Sequence, residues 1–424
     1  MRRASLILAS LLAFQAIPAS AGLLSTLSDY KKPNIKIGQL ALHPYYGLSL
    51  VYDDNIYLVP PDKNGHALAG GGRRGSWIMT NDLGLNAELP IGEMHKVNAG
   101  YNLRSDVYNK VSSANNAVTQ KVDVAYSFKG SVSKARAFDA YVNTQDPQFN
   151  PNSTVVAGEL VKREQRWQNT AGVNGEYFLG DKFFFGADAQ DTVHKYLSRS
   201  LGAKLNRSEA LFGFKTGYKL QPKTRAYLAV HRGLTHYSAG KAADHIANHR
   251  DWLMDFGLEG EFTGKLKGQV QTGMNYREHD KDNVFAQVRP VTRNWTVAVK
   301  LNYKPTETNV INVTANRAVN DAISGGNFYI TNGLALDASH KWNKLVFSAN
   351  TGVQIDKYSE AMTLAGYTAM RRDDTYSYGL KTDYKLREWF LVGVGYKHTR
   401  RHSIFSEQYN YKDSKTSFDL KLTF

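Results

Sequence analysis

The chain has 424 residues, no cysteine, 21% charged residues and 53 Lys+Arg against 38 Asp+Glu, a formal charge of +15. The absence of cysteine excludes a disulfide scaffold, thiolate metal sites and a lipid-modified N-terminal cysteine. The positive balance suits nucleic acid, anionic lipid or acidic substrates, and composition does not choose among them. With 25 Tyr, 19 Phe, 6 Trp and 35 Gly, the chain favours β structure over helix.

At the start, Arg2 and Arg3 precede an apolar run from Ala4 to Phe14, and Ala19-Ser20-Ala21 follows Pro18. A basic start, a short apolar core and an A-x-A site predict a cleavable secretory signal over residues 1–21. The run falls short of the about 20 residues that a membrane-spanning helix needs, and no later stretch reaches that length. Export excludes a nucleic-acid partner. Residues 22–42, which hold Lys31, Lys32 and Lys36, are expected to form a periplasmic N-terminal segment.

From residue 43 to 424 the chain alternates with period two. Trp77, Met79, Leu83, Leu85 and Leu89 interleave with Thr80, Asp82, Gly84, Asn86 and Glu88. Val97, Ala99, Tyr101 and Leu103 interleave with Lys96, Asn98, Asn102 and Arg104, and the pattern returns in Trp295-Val297-Val299-Leu301-Tyr303 and in Phe418-Leu420-Leu422-Phe424. Such alternation marks strands with one apolar and one polar face. The connections are alternately short, as at Leu179-Gly180-Asp181-Lys182 and Trp342-Asn343-Lys344, and long, as at 58–75, 144–165, 278–293 and 357–372. About 22 residues per strand and connection predict 18 strands in an all-β, transmembrane, up-and-down antiparallel β-barrel with both termini on the short-turn, periplasmic side. A soluble sandwich would need far less apolar surface, and a propeller would show a repeat of about 40–50 residues, which is missing. Aromatics near strand ends, including Tyr45, Tyr46, Tyr126, Tyr177, Phe178 and Trp389, are expected in interfacial girdles.

The segment His43-Pro44-Tyr45-Tyr46-Gly47-Leu48 to Tyr52-Asp53-Asp54-Asn55-Ile56-Tyr57 resembles the first strand of the outer-membrane β-barrel porins of the second type. The alternating strands that follow are similar too. Phe424, ending an alternating strand, resembles the signal that outer-membrane barrels present to the barrel assembly machinery. The resemblance implies a cell outer-membrane location. Because some members of that family accompany exopolysaccharide or capsule systems, it also implies a role in polymer export.

If the polar face of each strand lines the lumen, it carries the cations Lys96, Arg104, Lys121, Lys215, Lys219, Lys300 and Lys381. Interspersed acids include Asp106, Asp123, Glu259 and Asp383, so the lumen is expected to be near neutral. The positive excess falls instead on the long loops, in an expected extracellular basic rim of Arg73, Arg74, Arg371, Arg372, Arg400 and Arg401. Such a rim would touch anionic lipopolysaccharide, or collect acidic polymer by electrostatic focusing. Two loops are candidate plugs: 144–165, stiffened by Pro147 and Pro151, and 58–75, with Gly70-Gly71-Gly72.

No residues point to an enzyme. His245 and His249, and His398 and His402, have i,i+4 spacing, but the first pair lacks the zincin glutamate and the second straddles a strand end, so no metal is expected. There is no G-x-S-x-G, and no cofactor motif is present. The expectation is a porin-like channel for hydrophilic solutes or polysaccharide. The alternatives are the gated exit of a polysaccharide export system with periplasmic partners, and a closed structural or surface-interaction barrel.

Overall fold

The computed structural model describes residues 35–60, 74–110, 112–145, 164–238, 247–280, 290–322, 328–364 and 366–424. The proposed signal, most of residues 22–42, and the bulk of both candidate plug loops lie outside them. The strands are β1 (Ile35–Ile37), β2 (Leu40–Asp53), β3 (Ser76–Ile91), β4 (His95–Tyr108), β5 (Ala117–Lys129), β6 (Ser133–Thr144), β7 (Arg166–Leu179), β8 (Phe183–Tyr196), β9 (Arg207–Gln221) and β10 (Thr224–Tyr237). They continue as β11 (His249–Glu261), β12 (Leu266–His279), β13 (Val291–Tyr303), β14 (Asn309–Asp321), β15 (Phe328–Trp342), β16 (Leu345–Leu364), β17 (Tyr367–Arg387), β18 (Phe390–Ser403) and β19 (Tyr411–Thr423). Short helices α1 (Ser112–Asn115), α2 (Arg199–Leu205) and α3 (Ser406–Tyr409) sit in the longer connections.

Strands β2 to β19 each pair antiparallel with their chain neighbours, and β19 returns to β2 from Lys415↔Asp53 to Thr423↔Tyr45. The result is a closed 18-stranded barrel with no free long edge, which is one of the two architectures able to span lipid. The wall begins slightly before residue 43. β2 starts at Leu40, and β1 pairs with Leu40–Leu42, continuing the row on β2 that β19 leaves at Tyr45. Phe424 closes the junction, its N–H donating to the Pro44 carbonyl at 2.9 Å.

Tight turns join the strands at the end that holds Phe424. At Gly92 (φ 63°) and Asn343 (φ 53°) the backbone takes the left-handed conformation that such turns require and that glycine and asparagine tolerate best. Burial is inverted relative to a soluble protein. Leu228, Phe214, Trp295 and Leu380 are among many large apolar residues exposed on the outside, while Asp53, Asp106, Arg371 and Asp373 are buried within. That is the distribution of a barrel that meets hydrocarbon on one face and carries its polar groups on the other.

The register corrects two of the girdle expectations. Tyr45-Tyr46 and Tyr177-Phe178 are neighbours on strands, so each pair must send one ring to each face. Tyr45 turns inward and lies across Gly84, its register partner on β3, where a Cβ would meet the ring at 2.2 Å. Phe178 also turns inward, its ring tilted against that of Phe184 with centroids 6.3 Å apart.

The wall forks at one place. β13 and β14 pair from Tyr303↔Ile311 to Val297↔Arg317 and then part, although β13 continues on β12 to Val291 and β14 continues on β15 to Asp321. Asp321 and Phe328, opposite one another at the far end of this hairpin, fall on the outward side by alternation, yet both are buried. Asp321 accepts hydrogen bonds from the Tyr237 hydroxyl (2.6 Å) and Arg277 Nη1 (2.6 Å) and lies 3.0 Å from His249 Nε2. Phe328 stacks on His279 at 6.2 Å. Those four partners are lumen-side positions on β10, β11 and β12. The hairpin end therefore folds inward over β13, with its outer face against the inner wall.

Candidate functional site: a charge-paired lumen

Alternation on each strand places Lys96, Arg104 and Asp106 on the inner side of β4, and Lys121 and Asp123 on that of β5. Lys215 and Lys219 of β9, Glu259 of β11, Lys300 of β13, and Lys381 and Asp383 of β17 take inner positions as well. What alternation does not reveal is how closely they pair. Toward the tight-turn end, Arg225 makes a two-pronged bond to Glu176 at 2.8 and 2.9 Å and also contacts Glu259. Lys215 lies 3.2 Å from Glu176 and 3.5 Å from Glu259. The Arg225 guanidinium rests 4.4 Å over the fully buried ring of Phe184. Two cations and two carboxylates from β7, β9, β10 and β11 thus form one neutral unit on an aromatic floor. A forked guanidinium suits this place because it can bind two carboxylates in a plane.

The rest of the inner wall repeats the principle. Lys96 pairs with Glu88 at 2.8 Å, and Arg104 with Asp106 at 3.1 Å, where Thr80 also donates at 2.6 Å. Lys381 sits between Asp383 (3.0 Å) and Asp419 (3.2 Å). Lys415 sits between Asp53 (2.9 Å) and Asp413 (3.4 Å). Lys219 lies 4.6 Å over the Phe178 ring. Where cation and carboxylate of the same wall pair in this way, each offsets the other's field.

The six expected rim arginines separate. Arg73 lies outside the described residues, and Arg74 is exposed. Arg372 is on the outer side, paired with Asp374 at 2.9 Å, and Arg400 is exposed on the outer side of β18. Arg371 and Arg401 are not at an exposed rim at all. Arg371 is 1% exposed, bonded to Asp373 at 2.8 Å and sandwiched over Tyr409 (3.5 Å) and Tyr358 (4.4 Å). Arg401 is buried over Tyr411 at 5.1 Å. The reason is length: β16 and β17 run through most of the stretch expected to be a loop at 357–372. An Arg-Arg doublet on a strand must then divide between the two faces.

A second buried network escaped sequence reasoning. His194, Arg207 and Glu209 join at 3.4 Å (His194–Glu209) and 2.5 Å (Arg207–Glu209). Arg207 lies 5.8 Å over Tyr237, whose hydroxyl reaches Asp321, and His249 and Arg277 bridge Asp321 to Asp251. Alternation puts Glu209, Asp251 and Arg277 on the inner face, but nothing in the sequence shows that they join His194, Arg207, His249 and Asp321 across strands.

As for metals, both ring nitrogens of His249 face carboxylates, Asp251 at 2.6 Å and Asp321 at 3.0 Å, and His245 is outside the described residues. His398 contacts Ser414 at 2.9 Å on the outer side. Among the described residues, Asp53, Asp54 and Asp413 bring carboxylate oxygens within 4.8 Å of one another. Lys415 already neutralises two of them.

Fold and lining together define a transmembrane β-barrel with a polar interior, the porin type of outer-membrane protein. Residues 187–424 match the family Putative beta-barrel porin 2, and the chain belongs to that family. No curated protein matches the chain. Among solved structures, the chain is similar to OccAB3 of Acinetobacter baumannii, at 9% identity and TM-score 0.46 over 90% of this chain and 99% of that one. It is also similar to the siderophore receptor PirA of Acinetobacter baumannii (8% identity, TM-score 0.43, 90% of this chain and 80% of that one). The ferric enterobactin receptor PfeA, in complex with BCV-L6, is a further neighbour at 8% identity and TM-score 0.42, over 90% of this chain and 81% of that one.

Proposed function

We propose that the protein is an outer-membrane channel giving hydrophilic solutes a passive path, with no covalent chemistry and no cofactor. The observation that carries this reading is the closed 18-stranded wall whose inner cations are held by carboxylates of the same wall. Barrels of this strand number are wide enough for an aqueous channel. A paired lining hydrates a polar solute without trapping either ion.

Its partners on this reading are the barrel assembly machinery, through Phe424, and anionic lipopolysaccharide in the outer leaflet. Outer-side cations resting on aromatic rings support the lipid contact: Arg232 over Trp252 (4.7 Å), Arg317 over Trp295 (4.4 Å) and Lys195 over Trp167 (5.9 Å). The exposed Arg74 and Arg400 belong to the same belt. Residues 1–21 would direct export to the periplasm.

A second reading, the exit of an anionic polysaccharide with periplasmic partners docking near residues 22–42, draws on the infolded end of β14 and β15. A polymer exporter needs a lumen that is not always open.

The test is single-channel conductance of the refolded barrel in a planar bilayer, before and after adding an acidic polysaccharide. Steady opening with a reversal potential near zero in a salt gradient is the expected outcome. Block by the polymer would favour the exit reading. A silent barrel would overturn the channel and leave a structural one.

A further inference from the structure

We propose that the far end of the β14–β15 hairpin is a movable constriction of the lumen with two docking positions. One is the inward position of the structure, and in the other the hairpin lies back against β13 as part of the wall. The inference deepens the channel reading above and rests on it.

Four observations converge. First, the ladder between β13 and β14 stops at Val297↔Arg317 while both strands run on, so two strand edges stand ready to pair. In lipid an unpaired edge is unfavourable, so the laid-back form regains what the inward form gives up. Second, Asp321 has a cation in either position. Folded in, it meets Arg277 and His249. Continuing the register from Val297↔Arg317 by four residues puts it opposite Arg293, which is exposed on the outer side, 5.6 Å over Tyr276.

Third, the wall beneath the hairpin holds buried polar groups that lack a hydrogen-bond partner in the protein, as does the lumen elsewhere at Asp188 and His231. Thr292 Oγ1, Asn294 Nδ2 and both ring nitrogens of His279 are buried and make no hydrogen bond. Burying such groups unpaired costs free energy that lumen water would restore. Fourth, the crotch of the fork is secured independently of the upper ladder. Arg317 donates to the Trp295 carbonyl at 3.2 Å and to Asn332, and its guanidinium lies over the Trp295 ring. On its other side the hairpin stays paired with β16 up to Tyr329↔Tyr358, so the flap that moves above this fixed point carries the end of β16 with it. A bistable element of this kind, with good contacts at both ends of its travel, is the usual basis of gating. Swung inward it narrows the path, and laid back it leaves the full bore to larger hydrated solutes.

The absence of native cysteine makes cross-linking clean. Phe328→Cys with His279→Cys, joined by a cleavable thiol cross-linker, holds the hairpin in. Asn294→Cys with Asn320→Cys, register partners in the laid-back form, holds it in the wall and leaves the Trp295 anchor intact. The expected result in planar bilayers is conductance at least about twofold lower for the first than for the second, reversed on cleavage. Equal conductance in the two locked forms overturns the proposal, as does failure of the second pair to cross-link under conditions where the first does.

A second readout needs no current. In proteoliposomes, Asp321→Ala should raise the rate at which a water-soluble maleimide labels an Asn275→Cys reporter by about tenfold, because local opening exposes the covered wall. Phe328→Ala serves the same purpose should the Asp321 variant not fold. An unchanged rate in a folded variant overturns the proposal. Faster labelling in a barrel that never conducts would sink the channel reading and leave the moving hairpin standing.

Discussion

The wall from β7 to β11 and the wall from β13 to β15 are built from the same kind of strand and end differently. In the first, every ladder runs nearly full length, and the inner face is tied across four strands by Glu176, Lys215, Arg225 and Glu259 over Phe184. In the second, the ladder between β13 and β14 is abandoned partway, and the tie runs instead from Asp321 inward to β10, β11 and β12. Strand propensity is alike in both regions. What differs is where a buried carboxylate finds its cations, and so backbone pairing yields to side-chain pairing where the latter is strong enough.

The contrast implies a graded set of substitution effects. The largest belongs to Arg225→Ala, which strands Glu176 and Glu259 beside a single lysine. Removing one partner from a buried charge network costs about 3 kcal/mol, to be read as a lowered urea midpoint of the refolded barrel in lipid. A midpoint within error of wild type would show that the lumen there is wet enough to screen the carboxylates. Next comes Arg317→Ala at the crotch of the fork. It loses the stack on Trp295 and the bond to its carbonyl, for about 1 kcal/mol, and should speed amide exchange at the upper end of β13 more than in β9. Equal exchange in both strands would mean that Arg317 does not secure the fork.

Smallest is Lys223→Ala, two residues from Arg225 but at the exposed turn, paired there with Glu261 at 2.5 Å. Its side chain is 71% exposed. Solvent-screened pairs contribute about 0.5 kcal/mol or less, so its unfolding midpoint should barely move. A loss comparable with that of Arg225→Ala would refute the division between paired lumen and solvated turn.

Close approach accounts for details that alternation leaves open. Tyr227 on β10 lies across Gly257, its partner on β11, where a Cβ would sit 2.2 Å from the ring, and Tyr45 does the same over Gly84. In each case an inward tyrosine covers the gap that a strand glycine leaves, a device that helps pin register. The sequence shows both partners. It does not show that they are opposite each other, because register is a property of two strands at once.

Period-two alternation and tight turns at one end are enough to read an all-β barrel of 18 strands, because successive side chains of a strand face opposite sides. Strand ends were less legible. By sequence Arg371 and Arg401 fall at the rim, since a charged doublet near a turn looks the same whether the strand stops before it or runs past it. The pairing of Arg225 with Glu176, the burial of Arg371 between two tyrosines and the inward fold of β14 and β15 depend on which residues of distant strands come within reach. Only the closed wall decides that, since closure brings together side chains from strands that the sequence keeps far apart.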